Sequence, residues 1–183
     1  GLLFVSSGAM YRAFTWLVHE QGVDASNTAA VLELLGQTDL SFGEKDGNAT
    51  VEVGGELLSK DQLSADFVNQ NVSVIAAIPE VRVKLVDEQR KYGAEKGVVM
   101  EGRDIGSVVF PDTPHKFYID ASPEVREQRR RAQGIIDSIA DRDKKDSSRK
   151  ASPLVIPEDS IVIDSSDLSA EEVVAAVVGK IRG

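Results

Sequence analysis

The sequence predicts an α/β protein, a mostly parallel sheet flanked by helices, and three observations carry that expectation. Short apolar runs end in polar or glycine-containing turns: Leu2-Leu3-Phe4-Val5 before Ser6-Ser7-Gly8, and Val98-Val99-Met100 before Glu101-Gly102-Arg103-Asp104. Helical patterns separate them, and strands alternating with helices imply parallel pairing. A different texture interrupts this order. Leu40-Ser41-Phe42, Ala49-Thr50-Val51-Glu52-Val53 and Glu56-Leu57-Leu58 alternate with period two, broken at Asp46-Gly47-Asn48 and Gly54-Gly55. That is the pattern of a small antiparallel sheet with hairpin turns, inserted into the α/β order.

Taken in order, Leu2 to Val5 reads as a buried strand. Ser7 is expected to cap a helix running to Val18, with Tyr11 and Arg12 in its first turns. An arginine there can hold a phosphate with two donors, or it can simply be an exposed helix arginine beside a core tyrosine. Asn27 to Gly36 is a short helix with Val31, Leu32, Leu34 and Leu35 on its apolar face. After the period-two region, Ser64 to Val74 is expected to be helical, with Ser73 near its end. Pro79 opens another helix through Tyr92, carrying Arg82.

Val98 to Met100 is continuous and apolar, as in a strand buried on both faces. The polar residues after it, Glu101 to Asp104, fall at the carboxyl end of a parallel strand, where open α/β sheets bind ligands. Gly102 lets the backbone turn there and Gly106 permits a second close approach. Lys116 to Asp120 is a strand. Ser122-Pro123-Glu124 starts a helix carrying Arg126, Arg129, Arg130 and Arg131. Arg142, Asp146 and Arg149 then stand at i, i+4 and i+7, one face of a helix. A surface ladder of ion pairs fits that spacing equally well. Ser160 to Asp164 is the last strand, and Ser169 caps the last helix, Ala170 to Ile181.

Composition limits the function. The chain has 183 residues, 42% of them apolar, enough for one domain with an insertion. Cysteine is absent and only His19 and His115 are histidines, which excludes a disulfide framework, a thiolate metal site and a His-rich one. No apolar run approaches the roughly 20 residues needed to span a bilayer, so no membrane partner is expected and a cytoplasmic location is. A net charge of -9 argues against a nucleic-acid polymer. Yet seven of the eleven arginines lie between Arg103 and Arg149. Arginine clustered in an acidic chain suits a small polyanion. With no long exposed apolar stripe in the pattern, a monomer is expected.

Four stretches then resemble bacterial cytidylate kinase, in order and over nearly the whole chain. They are Ser7-Gly8-Ala9-Met10-Tyr11-Arg12; Ser73 to Arg82; Gly102-Arg103-Asp104-Ile105-Gly106 with Phe110-Pro111-Asp112; and Arg142 to Arg149. The resemblance implies transfer of the γ-phosphoryl group of ATP to CMP or dCMP with Mg²⁺, on a sheet of the P-loop NTPase type. It divides the chain into core (1–36, 80–125 and 151–183), a monophosphate-binding insert (37–79) and an arginine-rich lid (126–150). Ser73, Arg82 and Asp104 match positions that recognise cytosine. Ser7, Tyr11, Arg12 and Arg103 match positions around the substrate phosphate. Arg142, Asp146 and Arg149 match lid positions, Arg130 an ATP-side lid arginine, and Glu101 a position able to hold a water of the Mg²⁺ shell.

Two departures from the family accompany this. The family begins with a strand and a loop of the G-x-x-x-x-G-K-[ST] type, and the strand is the central one of its sheet. Neither is in this sequence, and Gly1 resembles a point just beyond the helix that follows the loop. The stretch from Arg130 to Arg142 is also shorter than the family's, with Gln133-Gly134-Ile135 as a possible junction. Both are expected to be gaps in this sequence. The alternatives are another pyrimidine monophosphate kinase on the same scaffold, and a non-catalytic nucleotide-binding relative without a phosphate loop.

Overall fold

The computed structural model describes residues 1–45, 47–132, 147 and 153–183. Its first strand, β1 (Leu3–Ser6), pairs in parallel with β5 (Val98–Glu101), Leu3 opposite Val98 through Ser6 opposite Glu101. The carboxyl ends of these two strands therefore lie side by side. On the other edge of β1 comes a hairpin, β2 (Leu40–Lys45) and β3 (Asn48–Val53), antiparallel in register from Leu40 opposite Val53 to Lys45 opposite Asn48. Its Gly47 has φ 74°, a conformation that costs glycine nothing. A short β4 (Glu56–Leu57) pairs with β3 after a second turn at Gly54 and Gly55, which also have positive φ. The hairpin joins β1 through a single parallel pair, Phe4 opposite Asn48. A second, two-stranded sheet holds β6 (Phe117–Asp120) parallel to β7 (Ile161–Asp164).

Helix α1 (Ser7–Glu20) follows β1 directly and supplies the centre of the core, with Met10, Phe14 and Val18 fully buried. Around it pack α2 (Thr28–Gln37), α3 (Lys60–Leu63), α4 (Asp66–Ile75) and α5 (Pro79–Glu95), contributing Val31, Val68, Ile75, Val81 and Leu85. Lys84 of α5 donates to the carbonyls of Leu35 and Thr38 at 2.6 and 2.7 Å, satisfying the open carboxyl end of α2. Among the described residues, two further helices lie beyond: α6 (Pro123–Ala132) and α7 (Ala170–Arg182), neither with a buried residue. Among the described residues no helix is long and apolar enough to cross a membrane.

Three expectations change. Ser7 does not cap α1. It is the first helical residue, the cap position falls on Ser6, and no side chain makes the capping bond. The Ser6 hydroxyl instead donates to Glu101 on the neighbouring strand, so a tertiary partner has replaced the local one. The helix expected from Ser64 to Val74 is α4, which starts two residues later at Asp66, and a separate short helix not foreseen, α3, precedes it because Ser59 and Gln62 form a capping box. Strand β5 is not buried on both faces: Val99 is 54% exposed, as is 48% of its partner Phe4. The described helices cover only the face on which Val5 is buried.

Candidate active site

The stretch after β5 builds the site. Gly102 is needed here for a close approach rather than for its φ. A Cβ placed on it would lie 2.1 Å from the Ser7 hydroxyl oxygen, a separation no real contact allows. The first turn of α1 and the turn after β5 thus press together at the carboxyl edge of the sheet. Beyond Arg103 and Asp104 the chain makes a π-helical turn, Ile105–Val109. The amides of Val109 and Phe110 donate five residues back, to Asp104 and Ile105, at 3.2 and 2.7 Å. Wider turns of this kind recur at functional sites, and nothing in the local sequence pattern announced this one.

Helix α5 fixes the same turn from the side. Arg90 donates to the carbonyls of Val109 and Val108 at 3.0 and 2.7 Å. Two turns earlier on α5, Arg82 forms an ion pair with Asp104, both side chains about 95% buried. One helix therefore supplies the cation and also holds the turn that carries the anion. Arg82 makes a second bond, to the carbonyl of Ala76 at 3.1 Å. Its guanidinium carbon stands 5.2 Å from the centre of the Tyr11 ring, within the range of a cation–π contact. Its Nε is buried without an acceptor among the described residues.

Burying such a pair is expensive, and a hydrophobic pair of equal size is often as stable or more so. A buried donor lacking an acceptor adds to the cost. A site that retains both is arranged for something other than stability. A planar ligand carrying both a donor and an acceptor suits what this cluster offers: a carboxylate, a guanidinium and an aromatic ring.

The structure thus gathers Ser7, Tyr11, Arg82 and Asp104, all buried. Arg103 is half-buried in the turn between β5 and Asp104. Arg12, one residue past Tyr11, reaches away toward the helices after the hairpin, donating to the Leu63 carbonyl at 3.0 Å and to Asn69 at 2.8 Å. Asn69 also donates to the Ser64 carbonyl at 2.9 Å, so Arg12 bonds to a residue that is itself held. Ser73 lies half-buried on α4. Glu101 is at the exposed end of β5, beside Ser6. Arg130 lies on α6. Arg142, Asp146 and Arg149 lie outside the described residues. Sequence reasoning missed Asn69, Ser6 and Arg90, which act through partners 57, 95 and 19 residues away in the chain. No local pattern carries such pairings.

Comparison with known proteins adds a separate line. The family model described as cytidylate kinase matches residues 1–183. A cytidylate kinase of Caldanaerobacter subterraneus subsp. tengcongensis is 40% identical over 194 positions, covering all of this chain and 84% of that protein. One of Clostridioides difficile is 38% identical, covering 98% of this chain and 86% of its own length. A protein of Trichodesmium erythraeum named bifunctional pantoate ligase/cytidylate kinase is 38% identical over 97% of this chain and 36% of its own. A match over the full chain, joined to the buried Arg82–Asp104 pair at the end of β5, leads to one conclusion: the chain belongs to the cytidylate kinase family.

Proposed function

We propose that this member of the cytidylate kinase family, a phosphotransferase acting on CMP or dCMP, reads cytosine with Asp104, Arg82 and Ser73 and takes its phosphoryl group from ATP. The observation that carries the reading is the buried Arg82–Asp104 pair. The cytosine amino group donates to a carboxylate, and the ring presents acceptors for an arginine. The unpartnered Arg82 Nε is a donor of the kind such an acceptor would satisfy. Uracil carries a carbonyl where cytosine has its amino group. Asp104 would then face an acceptor, a buried mismatch that disfavours UMP.

The substrate phosphate falls to Ser7, Tyr11, Arg12 and Arg103. Arg12 is held at Nη1 by the Leu63 carbonyl and Asn69, and a guanidinium can grip a phosphate with two donors at once. In this reading the hairpin region, within 37–79, moves with the monophosphate. The segment 126–150 is the lid, with Arg142, Asp146 and Arg149 on the monophosphate side and Arg130 on the ATP side. The chain's own work in phosphoryl transfer is positioning two anions in line and spreading positive charge around the transferred group. Lid closure excludes water that would otherwise attack ATP.

Mg²⁺ is held in such enzymes by one or two carboxylates, substrate phosphates and waters. Among the described residues no group of three metal-binding side chains exists, and a single exposed Glu101 beside a hydroxyl fits that mode without one. The ion would neutralise phosphate charge.

An acceptor panel of CMP, dCMP, UMP and AMP on the intact protein tests the reading. The expected order places CMP and dCMP well above UMP and AMP. Equal catalytic efficiency with UMP would remove Asp104 from base recognition.

A further inference from the structure

Helix α6 has no buried residue, so burial in the core does not fix its rotation about its own axis. Polar contacts at two heights along it do constrain it. At its base the amide of Ser122 donates to the Ser166 hydroxyl at 2.9 Å. Seven residues on, roughly 10 Å along the axis, Arg129 forks onto the turn between β7 and α7. Its Nη1 donates to the Ser165 hydroxyl at 2.9 Å, and its Nη2 to the carbonyls of Ser165 and Leu168 at 2.6 and 3.3 Å.

That turn is itself anchored. Ser165 is 1% exposed, and both its amide and its hydroxyl donate to the Asp120 carbonyl, at 2.8 and 2.7 Å. Asp120 ends β6, the strand that leads into α6. The contacts therefore form a closed loop: β6 to α6, α6 through Arg129 to the β7–α7 turn, and that turn back to β6. Two fixed points on a helix set its rotation as well as its direction. Arg126 and Arg130 share a face of α6 by their spacing, and Arg129 stands about 100° around from Arg130.

We propose that Arg129 is a positioning residue for phosphoryl transfer: its fork onto Ser165 and Leu168 sets the rotation of α6 and so aims Arg130 at the ATP phosphates. This rests on the reading of Arg130 as an ATP-side residue. Arginine suits the task because its planar fork holds three acceptors in one geometry, which a lysine ammonium on a flexible stem does not. Small misplacement of a charge-stabilising group costs rate steeply, roughly a hundredfold for about an ångström.

The test uses R129Q, R130A and the R129Q/R130A double variant of the intact protein. For each, kcat, KM for ATP, KM for CMP and melting temperature are measured on one preparation. R129Q is expected to lower kcat/KM for ATP roughly ten- to a hundredfold, with KM for CMP unchanged within about twofold and a melting temperature near the parent's. R129K should recover part of the loss. The double variant should be no worse than R130A, because a residue that acts only through another adds nothing once that one is gone.

Parent kinetics in R130A would remove the Arg130 assignment, and this proposal with it. A loss in R130A beside parent kinetics in R129Q would overturn the positioning role alone, as would additive losses in the double variant or a melting shift without a kinetic one. If R129Q does not fold, Ser165→Ala removes only one of the three acceptors and carries the same four readouts.

Discussion

Asp104→Asn is the sharpest perturbation the site offers, because the structure dictates which way the new amide must face. In the parent one Asp104 oxygen accepts from Arg82. Arg82 carries only donors, and its other bond, to the Ala76 carbonyl, holds it in place. The asparagine must therefore turn its oxygen toward Arg82, which leaves its NH₂ toward the base. A cytosine amino group would meet a donor there, whereas the uracil carbonyl would find one. Each matched or mismatched bond involving this buried group is worth about 1.5–3 kcal/mol, or roughly ten- to a hundredfold. The CMP-to-UMP ratio of catalytic efficiencies should thus fall by at least about tenfold, through loss of CMP turnover and some gain with UMP.

Asp104→Ala is the control for stability. It leaves Arg82 buried without its counter-ion, a change that costs about 3–5 kcal/mol. The Ala76 carbonyl and the Tyr11 ring still face the guanidinium, which places the expectation near the lower end. At about 2–4 °C per kcal/mol for a domain of this size, melting should fall by roughly 6–12 °C. Asp104→Asn, which keeps an acceptor, should melt several degrees higher. Thermal unfolding and a coupled kinase assay with both acceptors decide the matter. An unchanged CMP-to-UMP ratio in Asp104→Asn refutes the assignment of the base, whatever happens to stability.

Three further outcomes follow from particular contacts. Gly102→Ala would drive a Cβ into the Ser7 hydroxyl; kcat/KM for CMP should drop at least about tenfold if Ser7 helps hold the phosphate, and steady-state kinetics at a temperature where the variant is folded will show it. Arg142→Ala and Arg149→Ala should melt within a degree or two of the parent yet lose most of their turnover, since a lid arginine acts only in the closed complex; parent-like kinetics in both would return these residues to a surface ion-pair ladder, whose removal costs about 0–1 kcal/mol of stability. Asp159 accepts from Lys116, and that bond holds its carboxyl below the ordinary 3.8. A depressed acid stabilises the fold above its unfolded value and loses that contribution as pH falls through its folded one. The melting difference between the parent and Asp159→Asn should therefore be steady from pH 5 to 7 and shrink below about pH 4.

The contrast between what the sequence revealed and what it withheld follows the range of the interaction. Strand and helix positions were legible where one pattern governs one element. Pro79 opens α5 and Ser169 caps α7 as expected, and the helix expected from Asn27 forms as α2, with Asn27 as its cap, accepting from the amide of Ala30. Period-two alternation between Leu40 and Leu57 coincides with the antiparallel ladders of β2, β3 and β4. Ser7 misled for a physical reason. Two adjacent serines offer equally good caps, and the one at the cap position bonds to Glu101 on another strand instead of capping. The exposure of Val99 and Phe4 was likewise not readable, because an apolar strand looks the same whether one face or both are covered.

The site divides along the same line, and the division bears on its chemistry. Residue types at the end of β5 were legible, since an acid, a glycine and an Arg-Asp pair after an apolar run are unusual. What they bind to was not. Arg82 and Asp104 are 22 residues apart, on different elements, and only the fold makes them partners. In the proposed reading, that partnership changes how the base is read. A lone carboxylate would discriminate by one hydrogen bond, and its own rotation would blur the distinction. A carboxylate clamped by an arginine, which is pinned in turn to a backbone carbonyl, cannot rotate to accommodate the wrong base. Asp104 is held from the other side as well, its carbonyl accepting from Val108 and Val109 in a turn that Arg90 fastens to α5. In the proposed reading, selectivity then belongs to the assembly of α5 and the π-helical turn, with the buried Asp104 as its acceptor toward the base. Weakening Arg90, which touches neither base nor phosphate in this reading, should therefore relax the preference for CMP over UMP more than it lowers the affinity for ATP.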